Sequence, residues 1–159
     1  MLRSGHTAVE IDASPEAAYD VLADVTRMGE LSEECEDAIW MDGATEAAIG
    51  ARFRSSIRYR HLRWHRICEV LSAERGREFA YRTLPTGPLR HITEFRFRFG
   101  RRGDVTEVTA DSVLVRAGLT SRVLTRVVGR PEALQHDLEA MLGHLKALAE
   151  ASASNDPAD

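Results

Sequence analysis

The sequence predicts an α+β fold in which a curved antiparallel sheet of seven strands wraps around one long C-terminal helix. Three features predict it: a strand followed by a helix start near the N-terminus, six further strand-like segments, and a helical apolar stripe in the last third. A sheet with one apolar face needs a covering layer, and the final helix is the element long enough to provide it. Because a curved sheet and one helix leave space between them, we expect an internal cavity.

The first strand and the first helix are indicated by the segment HTAVEIDASPEAA. Thr7, Val9 and Ile11 share one face, with the period of two that is expected of a half-buried strand. Ser14 can accept a hydrogen bond from the first free amides of a helix, and Pro15 needs no amide partner at the first helical position. The next segment, RMGELSEEC, permits a short second helix and nothing longer.

Between residues 35 and 115 the pattern changes to strands broken by turn residues, so neighbouring strands should pair antiparallel. Arg52, Arg54 and Arg58 alternate along one of them, which is typical of the solvent face of a sheet. The predicted strands lie in EDAIWM, ARFRSSIRYR, WHRICEVLSAE, EFAYRTL, HITEFRFRF and VTEVTADSVLVR.

The last third has helical periodicity from residue 119 to residue 151, interrupted by Gly129 and Pro131. Pro131 cannot donate to the preceding turn, so we expect a kink or two helices, the longer one starting near Pro131. Residues 1–151 are predicted to form a single domain, and the polar residues 152–159 a disordered tail.

Composition limits the classes of function. The chain has 159 residues and a net charge of −4, so bulk charge does not favour nucleic acid, and no nucleic-acid partner is expected. No apolar run approaches the roughly 20 residues of a membrane span, and no signal peptide is visible, which predicts a cytoplasmic protein. Cys35 and Cys68 lack metal-ligand spacing and are expected to be buried and reduced.

No nucleophile elbow, phosphate loop or metal-ligand pair is present, so we expect no cofactor and no metal site. The candidate residues are therefore side chains on strand faces that could line the cavity, although each aromatic among them could equally be core packing. Trp64, Arg66 and Cys68 share a face in the predicted pattern. The predicted ligand-binding residues are Trp64, Tyr59, Phe79, Phe95, Phe97, Leu124 and Val128.

The segments VEIDASPEAAYDVLADVTRMGELSEEC, IGARFRSS and WHRICEVLSAERGREFAYR resemble the START-like (SRPBCC) superfamily, specifically its polyketide cyclase/dehydrase and lipid-transport branch. The resemblance covers residues 5–150 and implies the Bet v 1-like helix-grip fold. In cyclases of this superfamily, arginine and tyrosine on central strands hold the oxygens of the substrate, and by resemblance Arg66 and Tyr81 take these positions. The usual tryptophans of the second helix are missing here, which favours flexible aliphatic ligands over flat aromatic ones.

Three functions remain open. The first is binding of a hydrophobic small molecule, lipid or polyketide-like, as a carrier or sensor. The second is a polyketide cyclase or dehydratase that uses Arg66 and Tyr81, with a base that the sequence does not identify, because the faces of Glu94 and Asp111 are undecided. The third is a protein-interaction module of the cochaperone or toxin kind. A monomer or a homodimer would fit each of them.

Overall fold

The computed structural model describes residues 2–86, 90–116 and 130–155. Within these ranges the chain forms seven strands, three α-helices and one turn of 3-10 helix. The elements are β1 (Leu2–Ile11), α1 (Pro15–Ala23), the 3-10 turn (Val25–Arg27), α2 (Met28–Leu31), β2 (Cys35–Trp40), β3 (Arg52–Tyr59), β4 (Leu62–Glu74), β5 (Glu78–Thr83), β6 (Ile92–Arg102), β7 (Val105–Arg116) and α3 (Arg130–Ser154).

All seven strands belong to one antiparallel sheet with the order β1-β7-β6-β5-β4-β3-β2. Strands β2 to β7 follow one another as hairpins, and the first strand then pairs with the last. The chain between β1 and β2, which contains α1 and α2, therefore crosses from one edge of the sheet to the other. This arrangement confirms the predicted α+β helix-grip fold.

One face of the sheet, called the inner face below, carries the core. Tyr19 of α1 makes edge-on ring contacts with Phe79 and Phe99, at centroid distances of 6.4 and 5.7 Å, which identifies the face that the helices cover. α3 packs against β1, β7, α1 and α2. It buries an apolar stripe, as predicted, that consists of Leu138, Met141, Leu142, Leu145 and Ala149.

The other face, called the outer face, carries cross-strand ion pairs. Arg82 lies 2.9 Å from Glu69, and Glu78 lies between Arg96 at 2.5 Å and Arg98 at 3.2 Å. Alternating arginines along the strands thus find carboxylates on neighbouring strands. Arg52, Arg54 and Arg58 are exposed, which confirms the prediction that they belong to the solvent side of the sheet.

Two local features position the short helices: the cap that starts α1 and the close contact between α2 and β2. Ser14 Oγ accepts a hydrogen bond from the Ala17 amide at 3.1 Å and Pro15 is the first residue of α1, as the sequence predicts. Gly29 in α2 lies directly against β2, where a Cβ atom would overlap the Glu36 carbonyl oxygen. Glycine is required there because any side chain would push α2 off the strand.

Two boundaries differ from the predicted ones. β1 begins at Leu2, before the predicted start at His6, because its first residues pair with the far end of β7 across a register shift. α3 continues to Ser154, whose hydroxyl donates to the Glu150 carbonyl at 2.8 Å, so the predicted tail at 152 begins too early. The predicted helical residues 119–129, with Leu124 and Val128, lie outside the described residues.

Candidate ligand-binding site on the inner face of the sheet

The central strands β4 and β5 place two polar side chains on the inner face. The register pairs Ser55 with Arg66 and Phe53 with Cys68, and the Phe53 ring contacts the Tyr81 ring at 5.3 Å. These side chains therefore share the inner face. Arg66 and Tyr81, which the family resemblance selected, both project toward the interior of the protein.

Arg66 is a buried cation. The residue is 4% exposed, and its Nη2 donates to the His91 carbonyl oxygen at 2.9 Å. A guanidinium in such a position needs polar partners, since burial of an uncompensated charge is costly. A carbonyl acceptor orients the group and leaves it a positively charged donor. Arg66 can thus bind an oxygen atom of a ligand.

Tyr81 lies at the centre of an aromatic cluster. Its ring is stacked on Phe95 at 5.1 Å and makes further ring contacts with Phe53, Phe79 and Phe97. Burial raises the pKa of its hydroxyl well above 10, and the nearby Cys68, Cys35 and Asp137 add to this effect. The hydroxyl therefore stays protonated and can donate a hydrogen bond. Among the described residues it has no hydrogen-bond partner.

The other polar groups of the inner face are engaged or enclosed. Thr83 Oγ1 accepts from the Thr93 amide at 2.9 Å, where a bulge in β6 would leave that amide unpaired. Ser112 Oγ is fully buried and finds no partner within the described part of the chain. Its neighbours in the sheet are Phe95 on β6 and Gly5 on β1.

Both cysteines are free and buried, as predicted. Burial raises the pKa of Cys35 to about 12, and it raises the pKa of Cys68 to about 12 against the lowering effects of Ser55 and Arg66. Both thiols are therefore neutral at ordinary pH and are poor nucleophiles. They contribute soft, apolar surface next to Tyr81.

The two carboxylates that the sequence left undecided lie on the outer face. Glu94 is paired in register with Arg82, and Asp111 accepts from His6 Nδ1 at 2.7 Å with Arg98 at 4.0 Å. Neither residue can act on a ligand at the inner face. Both are consequently excluded as bases for chemistry there.

Sequence reasoning missed a carboxylate on α3. Asp137 accepts from the Ser32 hydroxyl at 2.8 Å and from the Glu33 amide at 2.8 Å, and its charge contributes to the raised pKa values of Tyr81 and Cys35. Its negative charge thus acts on the interior. The available signal was its position beside Leu138 in the apolar stripe, where a solvated aspartate is not expected.

The predicted ligand-lining residues separate into three groups. Trp64 and Phe95 are partly exposed on the inner face, whereas Phe79 and Phe97 are fully enclosed in the core. Tyr59 lies at the end of β3, where the Arg60 guanidinium covers its ring at 5.3 Å. Of this aromatic set, Trp64 and Phe95 thus keep accessible surface on the inner face, on the same face as Arg66, and the ligand-binding role of each residue stays a prediction.

Two further findings concern the described residues only. They contain no group of three or more His, Cys, Asp or Glu side chains that is placed to hold a metal ion. None of their helices has the length and apolarity that a membrane span needs.

Comparison with known proteins defines the family. Residues 4–150 of the chain match the family described as polyketide cyclase/dehydrase and lipid transport. The chain belongs to this family, and the START-like fold is confirmed. Membership indicates a ligand-binding or cyclase role. No curated protein matches the sequence.

Solved structures share the fold at low sequence identity. The protein TTHA0849 from Thermus thermophilus is 20% identical with a TM-score of 0.70, covering 93% of this chain and 97% of that chain. A START superfamily protein from Mycobacterium smegmatis is 15% identical, with a TM-score of 0.62 and coverage of 92% and 97%. The di-domain ARO/CYC StfQ of the steffimycin biosynthetic pathway is 13% identical, with a TM-score of 0.66 and coverage of 94% and 45%.

Proposed function

We propose that the protein binds an apolar small molecule with one oxygen-containing end, lipid or polyketide-like, and acts as its carrier or sensor. The observation that carries the proposal is the Tyr81 hydroxyl, a protonated donor without a partner among the described residues, on an otherwise aromatic face. A hydrogen bond from this hydroxyl to an oxygen atom of a ligand would contribute about 1 kcal/mol. Arg66 supplies a second donor on the adjacent strand.

In this arrangement the polar end of the ligand lies between Arg66 and Tyr81, and its apolar part lies against Trp64 and Phe95. A small number of placed donors fixes the orientation of a ligand, and the apolar wall provides the affinity. The thiols of Cys35 and Cys68 are neutral and tolerate an aliphatic chain.

Two fluorescent probes test this proposal. Parinaric acid has a carboxylate end, and diphenylhexatriene has no polar atom. Tyr81→Phe should weaken parinaric acid binding about fivefold, the effect of losing one hydrogen bond of ~1 kcal/mol, and leave diphenylhexatriene binding unchanged. Tyr19→Phe, which removes the hydroxyl of a buried tyrosine on α1, is the matched control. If the unaltered protein binds neither probe, the proposal is wrong; equal weakening of both would remove Tyr81 from the polar end.

A polyketide cyclase or dehydratase is the second candidate. It is supported by the family and by two donors, Arg66 and Tyr81, that could stabilise an enolate oxygen. Asp137 is the described carboxylate whose charge acts at Tyr81, and it is the candidate base. Deuterium exchange at the central carbon of 2,4-nonanedione, followed by NMR, tests this chemistry. Enzyme-dependent exchange that Asp137→Asn abolishes would support it, and exchange at the uncatalysed rate would count against it.

A further inference from the structure

The tip of the β3–β4 hairpin, residues 58–63, is basic and exposed, and is called the hairpin tip below. β5 ends at Thr83, which is paired with Cys68, so the β4 residues from Leu62 to Ile67 extend beyond the end of β5. Leu62 is 62% exposed, and the Arg63 side chain is 67% exposed. The hairpin tip is thus presented to the surroundings.

The charge of the hairpin tip opposes the charge of the whole protein. Arg58, Arg60 and Arg63 lie within six residues, and the Glu36 carboxylate, 3.6 Å from Arg58 and 3.5 Å from Arg63, balances one of them. The chain as a whole has a net charge of −4. A positive tip on an acidic protein directs the tip, rather than the body, toward a negatively charged surface.

Arg60 occupies a backbone conformation that disfavours arginine. Its φ is 57°, in the left-handed region where glycine is the usual residue, and a side chain there costs about 1 kcal/mol or more. The guanidinium lies over the Tyr59 ring at 5.3 Å and so remains at the tip. The Arg60 cation is thus positioned at the exposed end of the hairpin.

The combination of side chains indicates the kind of partner. An exposed aliphatic residue between arginines fits the boundary of a lipid bilayer, where the aliphatic group enters the headgroup region and the guanidinium groups bind phosphates. A nucleic acid would engage the arginines through its phosphates but would give Leu62 nothing to bury in.

We propose that the hairpin tip docks on an anionic lipid surface. Arg66 lies four residues from Leu62 along β4, or about 13 Å at the rise of a strand, so docking places the inner-face site close to the bilayer. The docking surface goes beyond the ligand site, because the hairpin tip is exposed and does not depend on an occupied interior.

Flotation of the ligand-free full chain with lipid vesicles tests the proposal. The vesicles are phosphatidylcholine with about one quarter phosphatidylglycerol, and pure phosphatidylcholine is the comparison. The protein should float with the anionic vesicles only, and more weakly as salt is added. The double variant Arg60→Gly, Arg63→Ser should bind about thirtyfold more weakly, since each basic side chain near the surface contributes roughly fivefold. Leu62→Ser should also bind more weakly, with an unchanged dependence on salt.

Arg77→Ser is the matched control. Arg77 follows the other end of β4, its side chain is 82% exposed, and its loss changes the net charge as Arg63→Ser does. The control should bind the anionic vesicles as the unaltered chain does. Circular dichroism should show all variants folded, because Arg60→Gly relieves backbone strain.

Three results would overturn the proposal: absence of binding, equal binding to neutral vesicles, or equal weakening by Arg77→Ser. Tight binding to a DNA duplex that needs Arg60 and Arg63 but not Leu62 would assign the hairpin tip to nucleic acid instead. Failure in flotation together with normal parinaric acid binding would reject docking and leave the ligand-binding proposal standing. Normal flotation without parinaric acid binding would reject the ligand-binding proposal and leave docking standing.

Discussion

Gln135 of α3 binds the edge strand β1 through the backbone of His6: its Oε1 accepts from the His6 amide at 2.9 Å, and its Nε2 donates to the His6 carbonyl at 3.0 Å. Further along the same strand, Lys146 Nζ donates to the Glu10 carbonyl at 2.9 Å. The side chains of α3 thus satisfy edge groups of β1 that a neighbouring strand would otherwise bind.

Gln135→Ala should lower the free energy of unfolding by about 1–2 kcal/mol, because two hydrogen bonds to the β1 backbone are lost. Urea unfolding measures the change, and hydrogen exchange should show a less protected His6 amide. Glu139→Ala is the control, since Glu139 accepts from Gln135 Nε2 at 2.7 Å without contacting the strand. An equal loss in both variants would mean that the contact with β1 contributes nothing of its own.

Two glycine substitutions should act in opposite directions. Gly29→Ala forces α2 away from the Glu36 carbonyl and should destabilise the protein by about 1–3 kcal/mol. Gly143→Ala, on α3 with no atom within 4 Å of the new Cβ, should stabilise it by roughly 0.5–1 kcal/mol. Thermal unfolding of both variants measures the two signs. A stabilising Gly29→Ala would show that α2 does not lie so close to β2.

The buried thiols should make stability fall at alkaline pH. In the unfolded chain a thiol ionises near pH 8.5, whereas burial raises the pKa of Cys35 and of Cys68 to about 12. The stability contributed by the neutral buried thiols is therefore complete below about pH 8.5 and is lost as pH rises toward 12. Each thiol should contribute a slope of about 1.4 kcal/mol per pH unit in that window.

Urea unfolding at a series of alkaline pH values measures this slope. Cys68→Ala should reduce it by one thiol's contribution, although the cavity left by the sulfur lowers stability by a similar amount at every pH. At around pH 8 neither thiol of the folded protein should react rapidly with Ellman's reagent. Rapid reaction without denaturant would contradict the burial of the cysteines.

The outer-face ion pairs should contribute more to the free energy of unfolding where they are more buried. Glu69 is 19% exposed between Arg82 at 2.9 Å and Arg52 at 3.5 Å, and Glu69→Gln should cost about 1–2 kcal/mol. The Asp20 side chain is 51% exposed beside Arg75, so Asp20→Asn should lower the free energy of unfolding by less than about 1 kcal/mol. Chemical denaturation at low and high salt compares them, and a larger effect at Asp20 would refute this ranking.

The local sequence pattern predicted the structure correctly where strand alternation or a helix-start motif determines it. Alternation placed Phe95, Phe97 and Phe99 on the inner face, and Ser14-Pro15 located the start of α1. The same alternation implies the outer face for Glu94, next to Phe95, and the structure has it there. Alternation fails in β4, where a register shift between Val70 and Ser72 interrupts the pairing with β5. A bulge of this kind reverses the alternation and leaves no unambiguous mark in the sequence.

The candidate site was predictable only in part because its polar groups come from distant segments. Arg66 and Tyr81 could be selected by family resemblance on adjacent strands, and their binding roles remain predictions. Asp137 acts on the interior because α3 returns to the α2–β2 connection, where Ser32 and Glu33 bind it. More than a hundred positions separate these partners, and no local periodicity reports such a contact.

The pairing of β1 with β7 has a consequence for synthesis of the chain. The ribosome releases β1 first, but its partner strand ends at Arg116 and the helix that binds its free edge ends at Ser154. The hairpins from β2 to β7 can form in order as they emerge, whereas β1 must wait until β7 and α3 have been synthesised. During that interval its apolar face is exposed, which makes β1 the strand with the longest delay between synthesis and pairing.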